Sequence, residues 1–341
     1  MNRSPCRLSL DAAALVHNWR LLDRMSGTAA CGAAVKADGY GLGAREVARR
    51  LSDAGCRDFF VATWAEARAL VDTGVTVSVF HGLRAEDMAL AGLRNARPVL
   101  NTPVQVNRWK EAGGGLCDVM VDTGMNRLGV SAGDIAAGLL DGLAIDTLMT
   151  HLASADEDTP INHTQRERFA ALAGKTQARR MSIANSAGIA LGAPYHLDLV
   201  RPGLALYGGV PRAELRDIRQ VARPEAQVLQ RRRVGAGETV GYNATWTALA
   251  DTEVAIVNLG YADGYWRGFS GKGHALVGEA RLPVLGRVSM DLIAVDCGAF
   301  DVAESDWLAL DYALPQAAAA SGMSQYELLT GLGSRFDRIW R

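Results

Sequence analysis

Short apolar runs separated by polar, helix-spaced stretches recur through the first two hundred residues. They fall at 32–35, 59–62, 77–80, 98–100, 119–121, 144–149, 181–184 and 197–200. Most are followed by a loop and an amphipathic segment, as at Ala65 to Asp72, Ala85 to Leu93, Pro103 to Glu111 and Gln165 to Ala173. An apolar run of this length, bounded by turn residues, fits a strand covered on both faces. Eight of them alternating with helical stretches predict an eight-stranded β/α barrel rather than a two-halved open sheet. Ahead of them, Leu8-Ser9-Leu10-Asp11 reads as a short strand ending in a helix cap, and Ala14, Leu15, Trp19 and Leu22 follow at helical spacing.

The pattern changes after about Asp217. Segments 226–234, 252–259, 282–285, 292–295 and 306–311 are rich in Val, Leu and Ile, with turns such as Gly235-Ala236-Gly237 and Gly271-Lys272-Gly273 between them. That texture predicts a small, mainly antiparallel β domain, with Leu314 to Leu332 as its clearest helix. The expected division is a barrel over 1–217 and a mainly β domain over 218–341, the first strand being free to join the second domain. A length of 341 residues agrees with two domains. No Pro-rich linker or like-charge block separates the halves, so they are expected to pack together.

Composition narrows the function. A net charge of −1 with mixed signs offers no electrostatic footprint for nucleic acid or an anionic membrane, which points to a small-molecule partner. Five scattered cysteines without a Cys-x-x-Cys pair read as reduced, buried residues of a cytoplasmic protein. The first ten residues lack a signal-peptide core, and no run approaches a membrane span.

The polar residues that end the apolar runs carry the chemistry. Lys36, Thr63, Asn101, Asp122, His151, Asn185 and Arg201 stand at or just past the C-terminal ends of the expected strands, the barrel face on which active sites sit. Lys36 is the most telling, because Gly32 to Val35 delivers it into a glycine-rich turn that opens a helix near Ala44. A lysine there is a candidate nucleophile, Schiff-base partner or general base. The plainer reading is a lysine snorkelling at the barrel rim.

Val35-Lys36-Ala37-Asp38-Gly39-Tyr40-Gly41 resembles the pyridoxal-phosphate lysine motif of the alanine racemase family, and further stretches match across nearly the whole chain. The resemblance implies that Lys36 holds pyridoxal 5'-phosphate covalently and serves as the base on one face of the substrate. The family's usual histidine is replaced by Leu42. Val240 to Trp246 resembles the stretch bearing the catalytic tyrosine, which makes Tyr242 the base on the other face, and His151, in Thr150 to Glu157, matches the histidine beside it. A free tyrosine is a poor base at neutral pH, so it needs a polar neighbour. Arg201, in Val200 to Gly208, resembles the arginine facing the pyridine nitrogen; its permanent charge leaves the ring neutral and shifts work onto the two bases.

For the phosphate, the resemblance points to Tyr40, Asn185, Ser186, Gly203, Leu204 and Tyr326. For the substrate carboxylate it points to Arg127, in Val121-Asp122-Thr123-Gly124-Met125-Asn126-Arg127-Leu128-Gly129, and to Met290 and Tyr261 on the second domain. Met120 stands where many members carry a carboxylated lysine that braces the arginine, so the bracing of Arg127 must come from a neighbouring polar side chain or an anion. The implied activity is interconversion of L- and D-alanine, for peptidoglycan or for alanine catabolism, in a homodimer whose second domain covers the barrel mouth of the other subunit.

Three other readings share parts of this pattern. A non-catalytic pyridoxal-phosphate carrier would need neither a second domain nor Tyr242. An amino-acid decarboxylase of similar architecture would place an acid where Arg201 stands and a cysteine in a Gly-Pro-x-Cys-Asp setting, which Val295-Asp296-Cys297-Gly298 lacks. A racemase of serine or of a broader set of amino acids remains open, although Tyr326 should narrow the pocket toward alanine.

Overall fold

The apolar runs of the first two hundred residues form short parallel strands. In the computed structural model, which describes residues 4–341, the chain opens with β1 (Cys6–Leu10) and a helix, Ala12–Met25, and continues into β2 (Ala30–Cys31) and β3 (Ala33–Ala34). Six strands follow at regular intervals: β4 (Phe59–Val61), β5 (Val77–Val79), β6 (Ala96–Leu100), β7 (Leu116–Met120), β8 (Ala144–Met149) and β9 (Arg180–Ser182). With β3 they make a seven-stranded sheet in sequence order, every pair parallel.

The last run, β10 (Leu199–Val200), pairs parallel with β2 and closes the ring. On one side Asp198 N and Arg201 N donate to Met181 O and Ala184 O; on the other, Gly32 N and Ala34 N donate to Val200 O and Pro202 O. The chain is therefore a β/α barrel here, its eighth strand held through loops as much as through ladder pairs. By internal packing this unit comprises Leu15–Leu206 and Val210–Arg219.

The barrel interior carries a polar layer. Asp118 on β7 is fully buried and accepts hydrogen bonds from Ser78 Oγ (2.5 Å), Arg97 Nε (3.0 Å) and Thr147 N (3.0 Å). Arg97 also pairs with Asp146 at 2.8 Å, and Arg180 holds Asp146 at 2.6 Å and Asp58 at 2.7 Å. Burial pushes the Asp118 carboxyl up, with Arg97 opposing, while Asp146, although burial raises it too, is carried below its ordinary range by Arg180 and Arg97. Buried charges survive only when paired in this way.

The second unit takes the residues up to Ala14, Tyr207–Gly209 and Gln220–Arg341. Its long strand is β11 (Ala222–Val234); β12 (Thr239–Val240) and β13 (Trp246–Thr247) form a small hairpin, and β14 (Thr252–Val257) returns antiparallel to β11. β15 (His274–Val277), β16 (Ala280–Leu285), β17 (Ile293–Asp296), β18 (Trp307–Leu310) and β19 (Asp337–Trp340) complete an eight-stranded sheet ordered β14-β17-β16-β15-β18-β11-β1-β19. β1 lies in this sheet, antiparallel to β11 and parallel to β19, because its alternating apolar residues Cys6, Leu8 and Leu10 face this unit's core.

Several expected helices differ. Leu314 to Leu332 is two helices, Leu314–Ser321 and Gln325–Thr330: Gly322 turns left-handed at φ +75°, and Ser324 starts the second by accepting from Glu327 N. Residues 85–93 tighten into a 3₁₀ turn, Ala85–Leu90. The segment expected at 65–72 is helical over Trp64–Ala69, and the one expected at 165–173 runs over Pro160–Ala170, with proline in its first turn. Among the described residues no helix is long and apolar enough to cross a membrane.

Candidate active site

Lys36 stands two residues past the end of β3, and the chain then does something costly. Ala37, Asp38, Gly39 and Tyr40 all take left-handed backbone, with φ of +52°, +53°, +62° and +55°. L-residues other than glycine give up about 1 kcal/mol or more each in that conformation. Glycine is favoured at 39, at φ +62° and where a Cβ would crowd the backbone of Ala44 at 3.1 Å. The turn is tied down by Gly39 N to Val35 O (2.9 Å), Gly41 N to Ala37 O (2.8 Å), Ala44 N to Asp38 Oδ1 (2.8 Å) and Ala37 N to Glu66 Oε1 (2.8 Å). Lys36 is thus presented by a rigid element.

Of the four lysines, at 36, 110, 175 and 272, only Lys36 is not exposed. It lines a cavity of about 250 Å³ with Met120, Asp122, Met125, Arg127, Thr150 and His151 among its walls. Burial lowers the pKa of its amine and the charge of Arg127 lowers it further, with Glu66 opposing. A free amine at a strand end, facing a cavity, is what nucleophilic or proton-transfer chemistry needs.

Arg127 reaches that cavity from a tight loop. Asp122 Oδ1 accepts from Gly124 N (2.8 Å) and Asn126 N (3.1 Å), and Asp122 N and Val130 N pair with Val130 O and Met120 O to close its neck. Gly129, at φ +137°, permits the closure, since a Cβ there would lie 2.6 Å from the Val121 carbonyl carbon. Met120 is buried and apolar, and among the described residues no carboxylate pairs with Arg127. The loop braces itself, through the Asp122 carboxylate and the backbone bonds of its neck.

His151 follows β8. Burial brings its pKa down to about 3, assisted by the charges of Arg201, Arg127 and Lys36, so it is neutral at physiological pH. Gln165 holds its peptide: the amide nitrogen donates to His151 O (2.9 Å) and Thr123 Oγ1 (3.2 Å), and the oxygen accepts from Ala153 N (2.8 Å). Arg201 is buried, donating through Nη1 to Ser182 Oγ and through Nη2 to Thr150 O (2.5 Å). Burial pulls it down to about 10, with Asp118 opposing, which leaves it charged at neutral pH.

Ser186 Oγ accepts from Gly203 N (2.9 Å) and Ala205 N (3.2 Å), joining the turn after β9 to the turn after β10. A Cβ on Gly203 would run into the Tyr40 hydroxyl, so the missing side chain is what lets Tyr40 approach this turn. Tyr40, Ser186, Gly203 and Leu204 are therefore gathered in one part of the barrel. Asn185 caps the helix Ser186–Ala190 by accepting from Gly188 N (2.8 Å).

Two of the rim residues turn out to be structural. Thr63 caps the helix Trp64–Ala69 in a reciprocal box with Glu66, and Asn101 Nδ2 donates to Phe80 O and Val99 O, both at 2.8 Å. Glu66 and Gln165, absent from the sequence reading, organise the ground around Lys36 and His151. The spacing Thr63-x-x-Glu66 is a legible capping signal; Gln165 carries no signal beyond its place in a helix.

The other candidates belong to the β unit. Tyr242 lies beyond β12 on the hairpin and is 69% exposed, with Asn243 and Ala244 at φ of +62° and +47° holding the tip. Met290 and Tyr261 sit on two zipped turns: Tyr261 N donates to Ser289 O and Ala262 N to Met290 O, both at 3.0 Å. Arg335 clamps them by binding Asp263 (2.7 Å) and Asp291 (2.8 Å). Tyr326 is 45% exposed on the helix Gln325–Thr330.

A β/α barrel that presents one buried-side amine beside an arginine, followed by a mainly β unit, defines a two-part, lysine-bearing barrel protein. Residues 10–211 match the family model for the alanine racemase N-terminal domain and residues 221–340 that for the alanine racemase C-terminal domain. The chain belongs to the alanine racemase family. It is 42% identical over 356 residues to an alanine racemase of Methylobacterium nodulans (97% of this chain, 95% of that protein) and 42% identical over 339 residues to one of Jannaschia sp. (97% of each). Among solved structures, it matches the alanine racemase of Bartonella henselae with covalently bound pyridoxal phosphate, at TM-score 0.89 and 31% identity with full coverage of both chains. The biosynthetic alanine racemase of Pseudomonas aeruginosa matches at TM-score 0.88 and 33% identity, again with both chains fully covered.

Proposed function

We propose that this chain interconverts L- and D-alanine using pyridoxal 5'-phosphate, with Lys36 as the attachment point and one of two bases. The observation that carries the reading is the Lys36 amine, depressed by burial and by Arg127, in a cavity it shares with Arg127 and His151. The donor set fits the cofactor: a free amine for its aldehyde, and Tyr40, Ser186 and the uncluttered backbone at Gly203 for its phosphate. When bound, pyridoxal phosphate supplies the electron sink for the charge left behind when the α-proton departs.

The chain's own residues do the rest. Arg127 presents a guanidinium fork to the substrate carboxylate and so fixes which face of the α-carbon meets Lys36. Lys36, its pKa lowered by burial and by Arg127, takes or returns the proton on its face. Arg201, charged and oriented by Ser182 and Thr150, is suited to the cofactor's ring nitrogen, where it withholds a proton and leaves the sink weak. Tyr242 serves the opposite face, with the main chain of Met290 and with Tyr261 on the substrate side and Tyr326 at the phosphate. Neutral His151 is available as a hydrogen-bond partner for that tyrosine. The names of the relatives favour alanine over serine.

A homodimer in the cytoplasm belongs to the same reading. The β unit exposes Tyr242, Leu249, Met290 and Leu292, an apolar set suited to covering the barrel mouth of a second copy.

Incubation with pyridoxal phosphate, borohydride reduction and peptide mapping should label Lys36; a label on another lysine, or none, overturns the assignment. Tyr242→Phe separates the two bases. It should slow racemisation by about 10²–10⁴-fold, with α-proton exchange into deuterated solvent persisting for D-alanine, the enantiomer assigned to Lys36, and largely lost for L-alanine. Equal residual exchange for both would remove the two-base scheme.

A further inference from the structure

The turn that carries Lys36 contains three non-glycine residues in left-handed backbone, Ala37, Asp38 and Tyr40. Such a turn persists only where its surroundings over-determine it. One of the ties comes from outside the turn's own segment, and it comes from an acid. Glu66 Oε1 accepts from Ala37 N at 2.8 Å, directly after Lys36, while Oε2 accepts from Ala62 N at 2.6 Å and Thr63 N at 3.3 Å. Three N–H donors converge on two oxygens, and no donor is needed in return. A carboxylate meets that demand on both sides; an amide cannot, since its NH₂ would face an N–H.

The charge has a second effect. The titratable and charged groups around the Lys36 amine are His81, Arg127, Asp122 and neutral His151 in its cavity, and Glu66 against the turn; Asp38 is turned away onto Ala44 N. Arg127 acts on the amine with a like charge, and Glu66 with an opposite one. We propose that Glu66 is a positioning residue for the reaction: one carboxylate caps the helix Trp64–Ala69 and locks the left-handed turn, fixing both the direction in which Lys36 points and the charge it faces. The inference rests on the reading of Lys36 as the attachment point. Glu66 reaches the chemistry through Lys36, and its double attachment is what a simple helix cap does not need.

The test uses the full chain and pyridoxal phosphate as the probe, with the rate of borohydride-trapped attachment at Lys36 recorded against pH and the Tm of each unloaded protein measured beside it. Glu66→Gln should move the midpoint of that profile down by about one pH unit, because the neighbouring negative charge is gone. It should also lower the high-pH plateau roughly tenfold through lost orientation. Thr63→Ala removes the same helix's hydroxyl cap (Thr63 Oγ1 accepts from Glu66 N at 3.2 Å) but leaves the Ala37 contact, so it should lower Tm and leave the midpoint where the parent has it. Glu66→Asp, which keeps the charge and shortens its reach, should hold the midpoint and lower the plateau, and it stands in should Glu66→Gln fail to fold. A Glu66→Gln profile that overlays the parent's, a Glu66→Asp plateau equal to the parent's, or a Thr63→Ala midpoint that moves as far as that of Glu66→Gln overturns the proposal. A parent chain unlabelled at Lys36 overturns the functional reading, and this inference with it.

Discussion

Asp122→Ala isolates the loop that presents Arg127. One carboxylate oxygen takes two backbone N–H groups, from Gly124 and Asn126, on either side of the turn that leads to the arginine. The loop's neck, closed by the Met120–Val130 and Asp122–Val130 bonds, stays intact in the variant, so the perturbation is confined to residues 123–128. Hydrogen bonds to a charged acceptor contribute about 1.5–3 kcal/mol each, and a half-buried site belongs at the low end. Losing both leaves the closed loop disfavoured by about 2–3 kcal/mol. If Arg127 binds the substrate carboxylate only from the closed loop, kcat/KM for L-alanine should fall roughly 30- to 150-fold. Asp122→Asn keeps an oxygen that accepts both bonds without the charge, so it should lose only about 1 kcal/mol, a five- to tenfold fall. Steady-state kinetics on both variants, with Tm as the control for global damage, make the measurement. A kcat/KM within twofold of the parent for Asp122→Ala, or an Asp122→Asn variant as damaged as Asp122→Ala, would refute the reasoning.

Gly203→Ala should displace the Tyr40 hydroxyl, since the new methyl would run into it and lie 3.0 Å from the Tyr40 ring carbon that bears it; pyridoxal-phosphate affinity, read by titration, should drop about tenfold, and Tyr40→Phe in the same chain should recover part of it. Asp118→Ala leaves Arg97 and Ser78 buried with a lost partner and should cost about 3–5 kcal/mol in urea unfolding, where a loss under about 1 kcal/mol would mean that the barrel's polar layer is idle. His151 gives a pH signature: its pKa is about 3 when folded against an ordinary 6.5, so the unfolded chain binds the extra proton in between. The stability this contributes is complete above about pH 6.5 and is lost as pH falls toward about 3. Urea midpoints at neutral pH and near pH 5 should differ less in His151→Gln than in the parent, and an unchanged difference would contradict the depressed pKa.

Much of the barrel was legible because its strands are short, apolar and evenly spaced, and each of the eight expected runs overlaps a strand. What escaped was decided by distant partners. β2, β12 and β13 are two-residue pairings that carry no periodic signal, and β19 is a strand because β1 lies beside it. The helix expected over 314–332 broke at Gly322, a residue whose left-handed backbone ends helices and whose presence in the sequence was already a warning. In the site, residue type alone left Lys36 between a reactive amine and a rim lysine, and it was the resemblance that singled out Lys36, Arg127 and Arg201. Residue type could not sort the rim: at Thr63 and Asn101 small polar side chains at strand ends satisfy backbone groups. It was silent at Gln165, which lies inside a helix and organises a neighbouring loop through its amide.

The electrostatics of the barrel explain why these parts belong together. Burial depresses Lys36 and His151, and the charges of Arg127 on the lysine and of Arg201, Arg127 and Lys36 on the histidine depress them further; no carboxylate hydrogen-bonds to Arg127 or Arg201 among the described residues. The neighbouring counter-charges are engaged elsewhere: Asp122 accepts from Gly124 N and Asn126 N, Glu66 is spent on backbone N–H groups, and Asp118 is held by Arg97, Ser78 and Thr147. Gathering cations in a partly dehydrated cavity raises the free energy of the empty site. An entering anion lowers it, so a phosphate-bearing cofactor and a carboxylate-bearing substrate are both favoured over neutral analogues of the same shape. The like charge that adds to burial in lowering the pKa of the Lys36 amine is thus the same property that draws in its anionic partners, and the acids that would have neutralised it are employed in holding the loop, the turn and the barrel in place.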